Sequence, residues 1–361
     1  MPASFYTSDK ILSPAEFSEH TNVNEHFEGL KNAQHFIRSW VNDKQFFDQK
    51  TSGSTGKPTV HTISRKNMLA SASRTAQVLN LNTGLQALVC INMSYIGGKM
   101  MLARGMQFDW HLHLVAPVSF ASSVQIPSGS FDFAAMVPLQ IENLLQSEAG
   151  LQLLNNTEKI IVGGAAVSKE LIRQIQPLKC RVYATYGMTE TISHIALQKL
   201  NGPDRADHFS MLPGVDFGLD ERGCLRLKAD VTDNQWIQTN DLTDLKDNGS
   251  FKITGRADNI INTGGVKVSA EMLEEKIAPL LKGQAKDYAI SSIPDALLGN
   301  KIVLICEGLT IPPEDLKALL KSSLGKFEVP KEIISQQIPK TASGKIDRAR
   351  LKRVVHSTQI K

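Results

Sequence analysis

Cysteine is scarce, with four residues in a chain of 361. Cys90, Cys180, Cys224 and Cys306 lie far apart, and no Cys-x-x-Cys pair or Cys/His cluster occurs. That spacing supports neither a zinc site nor a disulfide framework, and the cytoplasm is the expected compartment. Cys90 and Cys306 sit in apolar, strand-like runs and read as buried thiols. No apolar run approaches the length of a membrane span, and Met1 to Lys10 lacks the apolar core of a signal peptide. Charge of one sign is also lacking: the net charge is +4, and the basic residues are scattered, which gives no reason to expect a nucleic-acid partner. The basic tail Arg348, Arg350, Lys352 and Arg353 reads as a solvated helix face. Internal repeats and low-complexity tracts are absent.

What is present is an ordinary globular composition, 42% hydrophobic and 21% charged, in a chain long enough for two domains and a sizeable core. Helical stretches are expected near Ala33 to Asn42, Lys66 to Leu79, Gly98 to Arg104, Gln140 to Gln146 and Ser168 to Ile175. Strands are expected over Ala87 to Met93, His111 to Ala116, Phe133 to Val137, Lys159 to Val162 and Arg181 to Thr185. This alternation predicts α/β units with parallel pairing. From Leu212 to Ile261 turn signals recur at short intervals, for example Pro213-Gly214 and Asp247-Asn248-Gly249, and predict short antiparallel strands. The expected division is a large domain over 1–256 and a small one over 257–361. The small domain holds a helix (Ser269 to Leu281), strands (Tyr288 to Ser292, Lys301 to Glu307), another helix (Pro313 to Leu324) and a loop at Lys345.

Three segments bear chemistry. Thr51-Ser52-Gly53-Ser54-Thr55-Gly56-Lys57-Pro58 is rich in Gly, Ser and Thr. Such a loop lets backbone N–H groups approach a phosphate closely and adds hydroxyl donors. It lacks the Walker A spacing, and its composition suits a flexible turn equally well. Tyr186-Gly187-Met188-Thr189-Glu190 offers an aromatic face for a base, a hydroxyl for phosphate and a hard oxygen for a hard cation. A turn after a strand, with Glu190 as a helix N-terminal acid, reads as well. Pro339-Lys340-Thr341-Ala342-Ser343-Gly344-Lys345 places a lysine, a flexible point charge, in a loop near the C-terminus.

In this order the segments resemble the adenylate-forming superfamily of acyl-CoA synthetases, luciferases and peptide-synthetase adenylation domains. The resemblance implies their α/β fold with a small mobile α+β C-terminal domain. It also implies their reaction, in which a carboxylate and ATP give an acyl-adenylate and pyrophosphate. By it, Thr51 to Lys57 would hold the triphosphate, Gly163, Gly164 and Ala165 the adenine side, and Tyr186 and Gly187 the base. Thr189 would contact the α-phosphate, Glu190 would help hold Mg²⁺, and Asp241 and Arg256 would bind ribose. Lys345 would bridge the carboxylate and α-phosphate. Asp258 would be the hinge about which the small domain turns, and Gly264-Gly265 would line the coenzyme A tunnel after that turn. Two departures stand out: Thr59 replaces the usual Lys after Pro58, and Asn240 replaces the Gly of Thr-Gly-Asp.

Family members usually carry a longer stretch before the phosphate loop, so the N-terminal subdomain is expected to be reduced. A short form of this kind resembles the o-succinylbenzoate-CoA ligases of menaquinone biosynthesis. That acid is a dicarboxylate, whose second carboxylate needs a cation. Lys99 and Arg104, with Tyr95, Ser193 and His194, are the candidate acid-pocket residues. Another aryl- or short-acid ligase, an adenylation enzyme loading a carrier in trans (no carrier domain follows Lys361), and a nucleotide-binding non-catalytic relic are the other readings. Expected partners are a small carboxylic acid, ATP, Mg²⁺ and coenzyme A, with no nucleic acid and no membrane span; a homodimer is left open.

Overall fold

The computed structural model describes residues 2–6, 11–19, 28–51, 59–117, 120, 126–341 and 345–358. A nine-stranded sheet forms the centre. Its order is Ser210–Met211, Ser193–Lys199, Arg181–Met188, Thr157–Val162, Phe131–Met136, Gln86–Val89, His111–Leu114, Ser4–Tyr6 and Ile11–Leu12. The strands from Arg181–Met188 to Ser4–Tyr6 are parallel neighbours, and both flanks are antiparallel.

The inner strands are apolar on both faces because both are covered. Ala87 and Val89 point into one hydrophobic cluster, while Leu88 and Cys90 point into the other. Phe133 and Ala135 against Ala134 and Met136 repeat the alternation in the next strand. The helix Arg65–Leu79 packs beside Ile96–Gln107. It starts where the Ser64 hydroxyl accepts from Asn67 N, and it ends at Asn80, whose φ of 50° suits an Asn C-cap.

The sheet Asp216–Leu219, Cys224–Lys228, Ile237–Leu245 and Phe251–Arg256 is antiparallel, as the turn spacing predicts. A further sheet follows from Ile260–Thr263, Val266–Ser269, Asp287–Asp295, Gly299–Glu307 and Glu332–Ser335. Its two clusters draw only on Ile261 to Val355, whereas the first two draw on Phe5 to Phe251. Ion pairs join the parts: Lys169 to Glu275 at 2.9 Å and Lys282 to Glu170 at 3.1 Å.

Two elements depart from the sequence reading. Of the basic tail, Arg350, Lys352 and Arg353 are exposed as expected and Arg348 is not, while Leu351 and Val355 anchor the other face of the helix Arg348–Thr358. Arg348 donates to both Glu274 oxygens, at 2.8 and 2.6 Å. A half-buried bidentate pair of this kind orients the helix. The hairpin Phe46–Thr51 with Thr59–Ser64 was unforeseen. It aligns Thr51 with Thr59, so the backbone enters and leaves the Gly/Ser/Thr segment side by side. Ser52, Gly53, Ser54, Thr55, Gly56 and Lys57, expected to hold phosphate, lie outside the described residues, as does the side chain of Thr51.

Candidate active site

The carboxyl ends of the parallel strands converge, the usual place for a ligand in such a sheet. Thr157–Val162 runs into Gly163-Gly164-Ala165, and Arg181–Met188 carries Tyr186 beside it. Gly163 is constrained by this packing, since a Cβ there would lie 2.4 Å from Thr185 Oγ1. Gly187 is constrained by the antiparallel neighbour, where a Cβ would lie 2.1 Å from the Ser193 carbonyl oxygen. These contacts hold the backbone of the Tyr186 segment against that of His194, its register neighbour across Gly187.

Tyr186 donates its hydroxyl to Asp241 Oδ2 at 2.7 Å, and Arg256 Nη1 donates to Asp241 Oδ1 at 3.0 Å. Arg256 also donates Nε and Nη2 to the two Asp258 oxygens, at 3.0 and 2.9 Å. The Tyr186 hydroxyl is thus tied to a carboxylate–guanidinium chain, and its ring packs on Phe209 and Phe251 with centroids at 6.0 and 5.4 Å. Burial, and then the Asp241 charge, push the Tyr186 phenol up. For Asp258, burial raises the carboxyl but the Arg256 bonds and charge outweigh it and hold it low. Lys345 is solvent-exposed beside this chain. Desolvation lowers its ammonium first, Arg256 lowers it further, and Asp241 opposes both. Lys345, Tyr186, Asp241 and Arg256 therefore share one charged corner.

Thr189, Glu190 and Thr191 form a 3₁₀ turn, followed by Ile192 at φ 52° and Ser193 at φ 81°. Positive φ at a β-branched residue is strained. Hydrogen bonds hold it: the Thr191 hydroxyl accepts from Met188 N at 2.9 Å and faces the Ser193 carbonyl at 2.7 Å, and Ser71 Oγ donates to the Ile192 carbonyl at 2.8 Å. Glu190 stands exposed, 3.7 Å from His61 Nε2. Among the described residues no group of three His, Cys, Asp or Glu is placed to hold a metal. The donors at hand, a lone carboxylate and neighbouring hydroxyls, fit Mg²⁺ brought in on nucleotide phosphates, which needs one or two protein carboxylates.

Gly264 and Gly265, at φ 58° and 79°, make the two-residue turn between Ile260–Thr263 and Val266–Ser269. Both residues in the left-handed region is what such a turn requires. Gly264 N donates to the Leu298 carbonyl at 2.8 Å, and a Cβ there would lie 3.0 Å from Phe327, in the same part of the chain; Gly265 faces open space.

The acid-side candidates do not all meet. Tyr95 is exposed, and Lys99 Nζ donates to the Asp48 carbonyl at 3.0 Å, facing the hairpin. Arg104 points inward and is 1% exposed. Its Nη2 donates to Thr75 Oγ1 at 3.2 Å, while its Nε is buried with no partner. No carboxylate pairs with it among the described residues; burial alone pulls the guanidinium down to about 9, still charged at neutral pH. Nearby Arg74, also buried, has a carboxylate partner in Asp230. His194 lies 3.1 Å from Thr75 Oγ1, and burial, then Arg104 and Arg74, hold its imidazole well below the usual range. Sequence reasoning missed Thr75, Ser71 and His61. Nothing marks a hydroxyl inside a helix until the fold shows what it faces.

The profile of the AMP-binding enzyme family matches residues 13–216. The chain belongs to that family. A similar solved structure, an acyl-CoA synthetase (AMP-forming)/AMP-acid ligase II-like protein from Dyadobacter fermentans, is 37% identical, with a TM-score of 0.63 over 94% of this chain and 97% of that one. The 2-succinylbenzoate–CoA ligase of Lactococcus lactis is 30% identical over 63% of this chain and 52% of its own length. The chain thus spans about half of that relative. The ligase of the same name from Listeria monocytogenes is 27% identical over 88% of this chain and 71% of its own. O-succinylbenzoate coenzyme A synthetase from Bacillus subtilis, in complex with ATP and magnesium, shares the fold with a TM-score of 0.72 at 20% identity. The architecture is that of adenylate-forming enzymes.

Proposed function

We propose that the protein activates a carboxylic acid with ATP and passes the acyl group to coenzyme A, and that the acid is o-succinylbenzoate or a close aryl dicarboxylate. In the first half-reaction a carboxylate oxygen bonds to the α-phosphorus and pyrophosphate leaves. In the second, a thiol displaces AMP from the acyl carbon. Arg104 carries the substrate reading: a buried cation without an anion is costly, and a second carboxylate on the acid would offset that cost. The similarity to named 2-succinylbenzoate–CoA ligases supports the same class.

In this reading Lys345 stabilises the charge developing between carboxylate and α-phosphate. Thr189 contacts that phosphate, and Glu190 completes the Mg²⁺ set. Tyr186 and Gly187 face the base with Gly163, Gly164 and Ala165, while Asp241 and Arg256 take the ribose. Thr51 to Lys57 cradle the triphosphate. The small domain, 257–361, turns about Asp258 to bring Gly264 and Gly265 toward the thiol. Another aryl-acid ligase is the second reading, favoured by 26% identity over 235 residues to a 2-hydroxy-7-methoxy-5-methyl-1-naphthoate–CoA ligase from Streptomyces carzinostaticus. ATP–pyrophosphate exchange with o-succinylbenzoate, naphthoate, benzoate, a medium-chain fatty acid and acetate tests both. Exchange with o-succinylbenzoate alone supports the first reading, exchange with naphthoate or benzoate the second. Exchange with none of the acids rejects both.

A further inference from the structure

Thr75 belongs to no expected motif, yet it joins the two acid-side residues that the fold brings together. A threonine hydroxyl has one proton and two lone pairs. The proton goes to the Ser71 carbonyl, 3.0 Å away and one helical turn back. Both lone pairs are then left to accept, one from Arg104 Nη2 at 3.2 Å and one from His194 Nε2 at 3.1 Å. With the hydroxyl proton given to Ser71, His194 Nε2 is the donor of its contact and carries a hydrogen. Since burial and the neighbouring arginines keep the imidazole from taking a second proton, Nδ1 is left as a bare acceptor. Arg104 cannot swing away without breaking its bond to Thr75, and its unpartnered Nε edge is what remains for an anion.

We propose that Thr75 is the positioning and selectivity residue of the acid pocket: its hydroxyl fixes His194 as the Nε2–H tautomer and holds Arg104 with one guanidinium edge open to a single carboxylate tail. The pocket then presents one cation and one acceptor rather than two cations. A tail with one negative charge is matched, and a neutral tail leaves Arg104 unpaired. The tail's identity rests on the dicarboxylate reading above; the tautomer does not.

The test has two arms. In the first, the protein labelled with ¹⁵N-histidine is examined by NMR at neutral pH. The wild type should show His194 as Nε2–H, assigned by its loss in His194→Asn. Thr75→Val should shift it toward Nδ1–H, and Thr75→Ser should restore the wild-type pattern. A wild-type Nδ1–H signal, or a Thr75→Val spectrum identical to wild type, overturns the proposal. The wild-type spectrum decides even where the valine variant does not fold. In the second arm, KM in pyrophosphate exchange is compared for o-succinylbenzoate and for its mono-methyl ester on the succinyl side. Thr75→Val should raise KM for the diacid about tenfold, as expected when one hydrogen bond to a charged group is lost, and leave kcat within about twofold. The preference over the ester should collapse, and Thr75→Ser should recover it. An unchanged preference in Thr75→Val also overturns the proposal. If neither acid supports exchange while the tautomer behaves as expected, the dicarboxylate reading fails and the Thr75 geometry stands.

Discussion

Two side-chain clusters of the molecule are built on opposite terms. Around Tyr186 the side chains are already linked in a chain: Tyr186 to Asp241, Asp241 to Arg256, Arg256 to Asp258. In the acid corner Arg104 is buried with a hydroxyl on one nitrogen and nothing on Nε. The first corner can stand before any ligand arrives. The second holds a buried cation with no carboxylate partner among the described residues. The buried Arg74, on the neighbouring helix and paired with Asp230, shows that this part of the fold can supply an arginine with a carboxylate. In the function proposed above, paired charges keep geometry preset, and the unpaired one is where the second carboxylate of the acid would sit.

The comparison breaks most visibly at Lys345. In the Lys345→Ala variant, acyl-adenylate formation should fall by about 10²- to 10³-fold, the size expected for one electrostatic stabiliser. Its melting temperature should stay near wild type, because the side chain is exposed. Pyrophosphate exchange and a thermal scan check both statements, and exchange at the wild-type rate would remove Lys345 from the chemistry. Arg104→Met should cost about 10- to 100-fold in kcat/KM for a dicarboxylate, from the loss of a charged hydrogen-bonded contact. It should also leave the ligand-free protein as stable or more stable by about 1 kcal/mol, since an unpaired buried cation has been removed. Loss of stability in urea titration would contradict the open-cation view.

Asp241→Asn tests the paired corner. The Tyr186–Asp241–Arg256 chain loses its central charge, and ATP affinity should weaken about tenfold in equilibrium titration. The acid's KM should move less. A smaller effect is set by pH. His194 resists protonation in the fold, whereas unfolded it titrates near about 6.5. Below that pH the unfolded state binds more protons, so stability falls as pH falls, by at most about 1.4 kcal/mol per unit. Above it this contribution is fully present. His194→Asn should flatten that part of the pH–stability curve between pH 7 and 5. The smallest effect concerns Glu170, which bonds Arg173 and Lys282 at the surface. Glu170→Gln should change the balance of the two half-reactions by less than about threefold, as exposed ion pairs are worth little.

Periodicity and turn residues made most elements legible. The helix beginning at Arg65 and the strand ending at Val162 follow from apolar spacing, and the antiparallel sheet after Val215 follows from its turns. The hairpin at Phe46 escaped because its strands carry Asp48, Gln49, His61 and Thr62, which blur the alternation. The Arg348 pairing escaped because a helix of basic residues looks the same from its sequence whether or not a buried Glu274 waits opposite.

The order and spacing of motifs, carried by the chain itself, were enough to settle the family, and they named the nucleotide-side residues and the class of reaction to test. Sequence also named Lys99 and Arg104 together as cations for an acid. Tertiary structure separated them, turning Lys99 to the Asp48 carbonyl and Arg104 into the core, and it alone brought Thr75 between Arg104 and His194. The reason is physical: five residues apart on a helix, the two side chains leave on different faces, and which face is buried is decided by what packs there.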